Sequence, residues 1–370
     1  MSVAKRRALI VLDRGLSIPS AMVRAVQYRP LFEQSPRWQA EFASRQSEQL
    51  TKFVNRAHRP HIPLMVPLVY NPLHAYMTRW ERKQEDEIVR KATHCDLVCL
   101  IKIPHLRLYQ RLRALKGPKV VMEINDGLWL PFFQTYGWKD LNAILAESDA
   151  VICENENVAG YARRYNQCVQ VVPDSPQLPM FDRARSEVHR DPAKVVIGWI
   201  GSRENAGTLY RILEPLEELF ARHDNLHLRV VGAEAAYLPR FENVRCTHLA
   251  AYDQETMVRE TLAFDIGIFP LFHNQDANAR GTLKAMIYMS AESAVIAEWV
   301  GENPRLIQDG VNGLLASTSN EWLEKLDWLV THTAERKAMA RRGLETVREK
   351  FDTAIVFDKL LAAFDKIVTV

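Results

Sequence analysis

Few cysteines, no long apolar run and little net charge set the first bounds on this sequence. Its 370 residues include only 5 cysteines. Cys95, Cys99, Cys153, Cys168 and Cys246 are odd in number and scattered, which argues against a disulfide framework and fits free thiols in a reducing compartment. His94, Cys95 and Cys99 have no second ligand pair at metal-type spacing, so no metal site is expected. No apolar run approaches the ~20 residues that span a bilayer. The run at 8–12 is too short for a signal h-region and continues into a charged turn, so a cytoplasmic protein is expected. The formal net charge is +3, too small to imply nucleic acid, and no dense basic stripe is interleaved with aromatics. Lys5-Arg6-Arg7 reads as a solvated start, with peripheral attraction to anionic lipid as its alternative. No G-x-G-x-x-G follows an apolar run, so the dinucleotide fingerprint is missing.

What is present is an ordinary globular composition, 47% hydrophobic and 25% charged. A chain this long predicts two domains rather than one core. Short apolar runs at 8–12, 96–103, 119–124, 150–153 and 169–172 read as buried parallel strands. Helical segments at 106–115, 141–148 and 157–165 alternate with them. A first helix is expected from Ser20 and a second over 38–56. A strand follows over 62–69, weakened by Pro63 and Pro67, and then a charged helix over 81–92. Residues 174–194, with Pro176, Pro179 and Pro192 among charges, read as a linker. The alternation restarts with strands at 195–200, 226–231, 244–249, 264–271 and 294–297. Helices at 209–222 and 254–262, and one from Leu283, lie between them. Charged helices at 321–331 and 334–349 and a last helix from Thr353 close the chain.

The predicted fold class is therefore α/β: two Rossmann-like, doubly wound domains facing a central cleft. They cover 1–173 and 195–352, with a helix over 353–370 packing back toward the first. Ligands in such sheets bind beyond the carboxyl ends of the strands. Gly15 and Gly201 each follow a domain's first strand, either as turn glycines or where backbone approaches a ligand. Residues 264–315 carry the densest signal: an apolar strand, a polar loop over 272–280, then Gly281-Thr282-Leu283-Lys284. Backbone N–H groups and the helix dipole make such a loop a natural anion site. A lysine in a helix's first turn opposes the dipole, so Lys284 fits better beside an anion such as the diphosphate of a nucleotide-sugar.

Further residues carry a family resemblance: Val196-Ile197-Gly198-Trp199-Ile200-Gly201-Ser202, Phe264-Asp265-Ile266-Gly267-Ile268-Phe269-Pro270-Leu271, Leu283-Lys284-Ala285-Met286-Ile287-Tyr288-Met289 and Asp309-Gly310-Val311-Asn312-Gly313-Leu314-Leu315. Through them the chain resembles GT-B glycosyltransferases of the family 4 type (glycosyl transferases group 1, the retaining, glycogen-synthase-like group). The resemblance implies glycosyl transfer from a UDP- or GDP-sugar donor, as co-substrate, to an unidentified hydroxyl, without metal or other cofactor. It implies diphosphate contacts from Arg203 and Lys284, with Gly201, Ser202, Arg280, Gly281 and Thr282 at the same edge. Tyr252 would stack on the base, and Asn274 and Gln275 would reach sugar hydroxyls. In the first domain Asp126 would orient a hydroxyl, with His105 and Lys102 at neighbouring strand ends. The family's paired glutamates, spaced E-x7-E, fall on Ala279 and Ile287 here, and its glycine after the helix is Glu292. That departure keeps a second reading open, a GT-B module binding a nucleotide-sugar or a protein partner without turnover. An epimerase or hydrolase on the same scaffold is the rival enzyme reading.

Overall fold

Among the described residues every paired strand is parallel to its neighbour. The computed structural model describes residues 5–13, 15–16, 19–46, 66–103, 105–131 and 138–369. Two units emerge: Met1–Pro173 with Phe357–Val370, and Asp174–Val356.

The first unit holds β1 (Arg6–Leu12), β2 (Trp38–Ser44), β3 (Leu97–Ile101), β4 (Lys119–Ile124), β5 (Ala150–Cys153) and β6 (Val169–Val171), in the order β2-β1-β3-β4-β5-β6. Its helices are α1 (Pro19–Arg24), α2 (Arg29–Gln34), α3 (Val66–Ala92), α4 (Leu106–Arg113), α5 (Leu141–Glu147) and α6 (Glu156–Ala162). Strands β3 and β5 are buried at every residue, as parallel strands covered on both faces must be. Leu100, Val120, Met122 and Val151 meet Ile88, Leu112, Ile144 and Val158 from the helices.

Two expectations fail here. Residues 38–44 form an edge strand rather than the start of a helix. Trp38, Ala40 and Phe42 turn inward while Gln39 and Glu41 are exposed, the period of two that marks a half-covered strand. Residues 66–69, read as strand, begin the long helix α3, and Pro67 sits in its first turn, where no backbone N–H is needed. The remainder of those two expectations, 47–56 and 62–65, lies outside the described residues.

The second unit holds β7 (Val195–Ile200), β8 (Leu226–Val231), β9 (Cys246–Leu249), β10 (Ile266–Phe269), β11 (Ala294–Glu298) and β12 (Leu314–Ala316), in the order β12-β11-β10-β7-β8-β9. Its helices are α7 (Leu178–Ala184), α8 (Leu213–Arg222), α9 (Gln254–Leu262), α10 (Gln275–Ala279), α11 (Leu283–Ser290), α12 (Asn303–Leu306), α13 (Ser319–Thr331) and α14 (Thr333–Phe351). The stretch 174–194, read as a linker, carries α7, whose Phe181 is buried among Val258, Leu262 and Ala291. Gly198 and Gly267 are cross-strand partners at the centre of the sheet. A Cβ on either would stand 2.0 Å from the Phe264 ring or 2.3 Å from the Tyr288 ring. Glycine in a strand interior, ordinarily weakening, here makes room for two aromatic rings.

A last helix, α15 (Thr353–Thr369), supplies its larger part to the first unit. Phe364 meets the fully buried Trp38 edge-on at 5.4 Å. Asp365 accepts hydrogen bonds from Arg6 at 2.9 Å, Arg37 at 2.6 Å and the Trp38 indole at 2.8 Å. Among the described residues no helix is long and apolar enough to cross a membrane.

The strand orders fix one switch point per sheet, between β1 and β3 and between β7 and β10. At such a point successive connections leave in opposite directions, which opens a crevice at the carboxyl edge.

Candidate functional site

In the second unit that crevice is floored by two glycines. The Gly201 N–H bonds to the Val231 carbonyl at 3.0 Å and the Gly232 N–H to the Leu249 carbonyl at 2.7 Å. A Cβ on Gly201 would lie 2.5 Å from the Trp199 ring and 2.9 Å from Lys284 Nζ. Gly232, at φ +99°, has the Gly201 carbonyl and the Tyr252 ring where a Cβ would be. Gly201, Gly232, Trp199, Tyr252 and Lys284 thus share one edge, and only backbone without side chains fits at its centre. Gly232 was missed by the sequence reading; that it too ends a strand was the signal available.

Lys284 is the charged group of this edge. It sits in the first turn of α11, its Nζ 5.0 Å from the Trp199 ring centre and 5.5 Å from that of Phe269. It forms no ion pair among the described residues, while Trp199 Nε1 is buried without a hydrogen-bond partner. Burial, and secondarily the charge of Arg280, bring the Lys284 pKa down to about 7. No side chain caps the first turn of α11, where Thr282 stands at the N-cap; Gly281 and Thr282 are half-buried. Uncapped amides and an unpaired ammonium group are what an anionic oxygen requires.

Tyr288 fixes this geometry. Its hydroxyl accepts the Ile200 N–H at 2.9 Å, tying α11 to the end of β7 immediately before Gly201. The ring is fully buried, and burial raises its pKa.

The remaining sequence candidates divide. Tyr252 is 38% exposed, with its ring edge against Gly232. Arg280 lies near Lys284, yet its guanidinium is held by Asp276 at 2.7 Å. Arg203 is exposed and turns to Glu204, 2.9 Å away; that bond, with Tyr237 nearby, raises its pKa. The structure records no interaction between Arg203 and Lys284. Ser202 opens the 3-10 run Arg203–Ile212 by accepting from Asn205. Asn274 is the N-cap of α10, its side-chain oxygen accepting the Ala277 N–H at 2.8 Å, and Gln275 follows it. Asp309 and Asn312 accept backbone N–H groups of Leu315 and Gln308 at 2.8 Å each; the Asp309–Leu315 motif therefore braces a turn. Ala279 is buried and Ile287 half-buried, so neither expected carboxylate position offers an oxygen.

The first unit's crevice is polar. Lys102 and Asp126 end β3 and β4, both at positive φ (55° and 62°), and pair at 2.6 Å. Two non-glycine residues held side by side in the left-handed region are strained. The Asp126 N–H faces Glu154 at 3.4 Å, and Gly15 is buried just beyond β1. His105 caps α4 through Leu108 and faces the buried Glu85 at 3.5 Å; burial, then Arg45, lower its pKa. Among the described residues no group of three His, Cys, Asp or Glu side chains is placed to hold a metal.

Residues 194–332 match the family of glycosyl transferases group 1. No protein of curated function matches the chain in sequence. Among solved structures the chain is similar to HepE of Anabaena in complex with UDP-glucose, at 13% identity and a TM-score of 0.67 over 98% of this chain and 100% of that one. It is similar to sucrose-phosphate synthase of Thermosynechococcus elongatus, at 15% identity and a TM-score of 0.66 over 99% and 100%. A glycosyltransferase of Rickettsia africae aligns at 14% identity and a TM-score of 0.70 over 99% of both chains. The chain has the GT-B fold, and its residues 194–332 match the model of glycosyl transferases group 1.

Proposed function

We propose that this protein transfers a sugar from a nucleotide-sugar, UDP- or GDP-linked, to a hydroxyl acceptor with retention of configuration. The observation that carries the proposal is Lys284: an unpaired, enclosed ammonium group at an uncapped helix start, against two glycines at the switch point. HepE, which shares the fold, holds UDP-glucose and UDP in its own structures.

As the donor bond breaks, negative charge builds on the diphosphate oxygen. Lys284 and the α11 amides stabilise it, an effect worth about 10²–10³ in rate per donor removed. The backbone of Gly201 and Gly232 admits the phosphates closely, and Tyr252 stacks on the base. The acceptor hydroxyl attacks on the face the diphosphate leaves, and its proton passes to the departing oxygen, so no protein base is called for. Lys284 and the amides supply the positive charge, so the reaction as proposed calls for no metal. We place the protein in the cytoplasm, where nucleotide-sugars are made.

Ala279 and Ile287 favour one second reading, a module that binds the nucleotide-sugar without turning it over. Calorimetry against UDP- and GDP-sugars, followed by nucleotide-release assays with hydroxyl acceptors, separates the two. Binding with release is expected. Binding without release under any acceptor leaves the second reading, and no binding to any nucleotide removes both.

A further inference from the structure

We propose that the second unit holds another anion pocket, for a phosphate group, at the end of α11 away from Lys284. The pocket is a hollow of about 490 Å³ whose lining includes Arg185, Arg190, Glu292, Lys337 and Arg341. At 1.5 Å rise per residue, eight helical residues set it roughly 12 Å from the helix start. It stands independently of the nucleotide-sugar reading.

Four basic side chains and one carboxylate line it. Arg190 donates to the carbonyls of Leu262 (3.0 Å), Ala291 (2.8 Å) and Glu292 (3.0 Å). Those bonds close the ends of α9 and α11, and among the described residues no carboxylate forms a salt bridge with it, although Asp265 and Glu292 act on its charge from further away. Arg185 donates to the Ser290 carbonyl at 2.7 Å, pairs with Glu292 at 3.2 Å and lies 4.0 Å from Asp182. Its Nε is buried with no partner. Lys337 and Arg341 are exposed, four residues apart on α14, and form no ion pair among the described residues. Like charges at that spacing repel, so the helix carries them at a cost that an anion between them would remove.

Glu292 adds strain to the pocket floor. Ser293 N–H bonds to the Tyr288 carbonyl and Glu292 N–H to that of Met289, both at 3.0 Å. This is the Schellman closure, whose left-handed position favours glycine, yet Glu292 occupies it at φ 54°. Strained residues of this kind persist where the surroundings hold them, often at binding sites. Helix capping explains the bonds of Arg185 and Arg190. It explains neither the buried Nε nor the two unpaired cations on α14. Guanidinium and ammonium groups lining one hollow match the oxygens of a phosphate, carried by a soluble phosphoester or by a lipid headgroup.

Titration with inorganic pyrophosphate tests the proposal. Lys284 offers pyrophosphate a separate place, so the comparison is made in Lys284→Ala protein, with and without Lys337→Glu and Arg341→Glu. Both α14 residues are exposed, and circular dichroism checks that the fold is kept. Saturable binding is expected in the first protein and at least tenfold weaker binding after the reversals. Lys337→Gln with Arg341→Gln, which add no negative charge, are expected to weaken it in the same direction. Flotation on phosphatidylcholine vesicles with and without phosphatidylglycerol identifies the source. Flotation that needs the anionic lipid and is abolished by the reversals marks a lipid headgroup; pyrophosphate binding without flotation marks a soluble phosphoester. Equal pyrophosphate affinity before and after the reversals, or neither pyrophosphate binding nor flotation, overturns the proposal.

Discussion

In the proposed reaction Lys284 carries the chemistry of the donor edge, and its protonation makes that role measurable. In the unfolded chain its pKa is near 10.5, in the folded protein about 7. Between those values the unfolded chain holds the extra proton, so this group's contribution to stability rises as pH rises through that window. A diphosphate beside Nζ favours the charged form, so binding above pH 7 takes up a proton. Affinity for UDP is therefore expected to fall as pH rises from 7 to 9, by up to about tenfold per unit. Calorimetry across that range checks it; a Lys284→Met protein with the same slope would remove Lys284 from the site. Lys284 was legible in sequence because a lysine in a first turn opposes the helix dipole. Arg203 was legible only as a residue type. Nothing in a sequence announces that its side chain turns to Glu204, one position on.

At the scale of elements, α11 and β11 were legible because the apolar run after Lys284 is continuous and Glu292 marks its break. The edge strand β2 was not, since its polar flank resembles a charged helix and only the alternation of Trp38, Ala40 and Phe42 reveals it. The Schellman turn gives a stability test. Glu292→Ala loses the Arg185 pair and keeps the left-handed strain, whereas Glu292→Gly loses the pair and relieves the strain. The glycine variant is therefore expected to be more stable than the alanine variant by about 1 kcal/mol in chemical denaturation. A gap near zero would mean that the turn holds Glu292 unstrained. Gly267→Ala drives a methyl group into the Tyr288 ring. Overpacking of this kind costs roughly 1–3 kcal/mol. The displaced ring would also loosen the Ile200 bond, so weaker UDP binding is expected together with a lower melting temperature.

On the scale of the whole molecule, alternation of strand and helix made both sheets legible, because parallel strands covered on both faces read as unbroken apolar runs. Strand order was not legible, since it depends on which neighbour each crossover selects. The switch point between β7 and β10 that brings Gly201 beside Lys284 is a property of that order. Equally hidden was how much of the first unit is built from the end of the chain. Deleting residues 357–370 removes Phe357, Phe364 and Asp365 from Phe32 and Trp38. Limited proteolysis is then expected to degrade 5–173 while 174–356 resists; equal resistance of both would refute the dependence. The same packing sets an order of events during synthesis. The ribosome delivers Trp38 early and Phe364 late, with all of Asp174–Val356 between them. At ~5–20 residues per second the interval is about 16–65 s, long enough for the second unit to fold while Trp38 still lacks its cover. Of the two units, the one started first is the later to be finished.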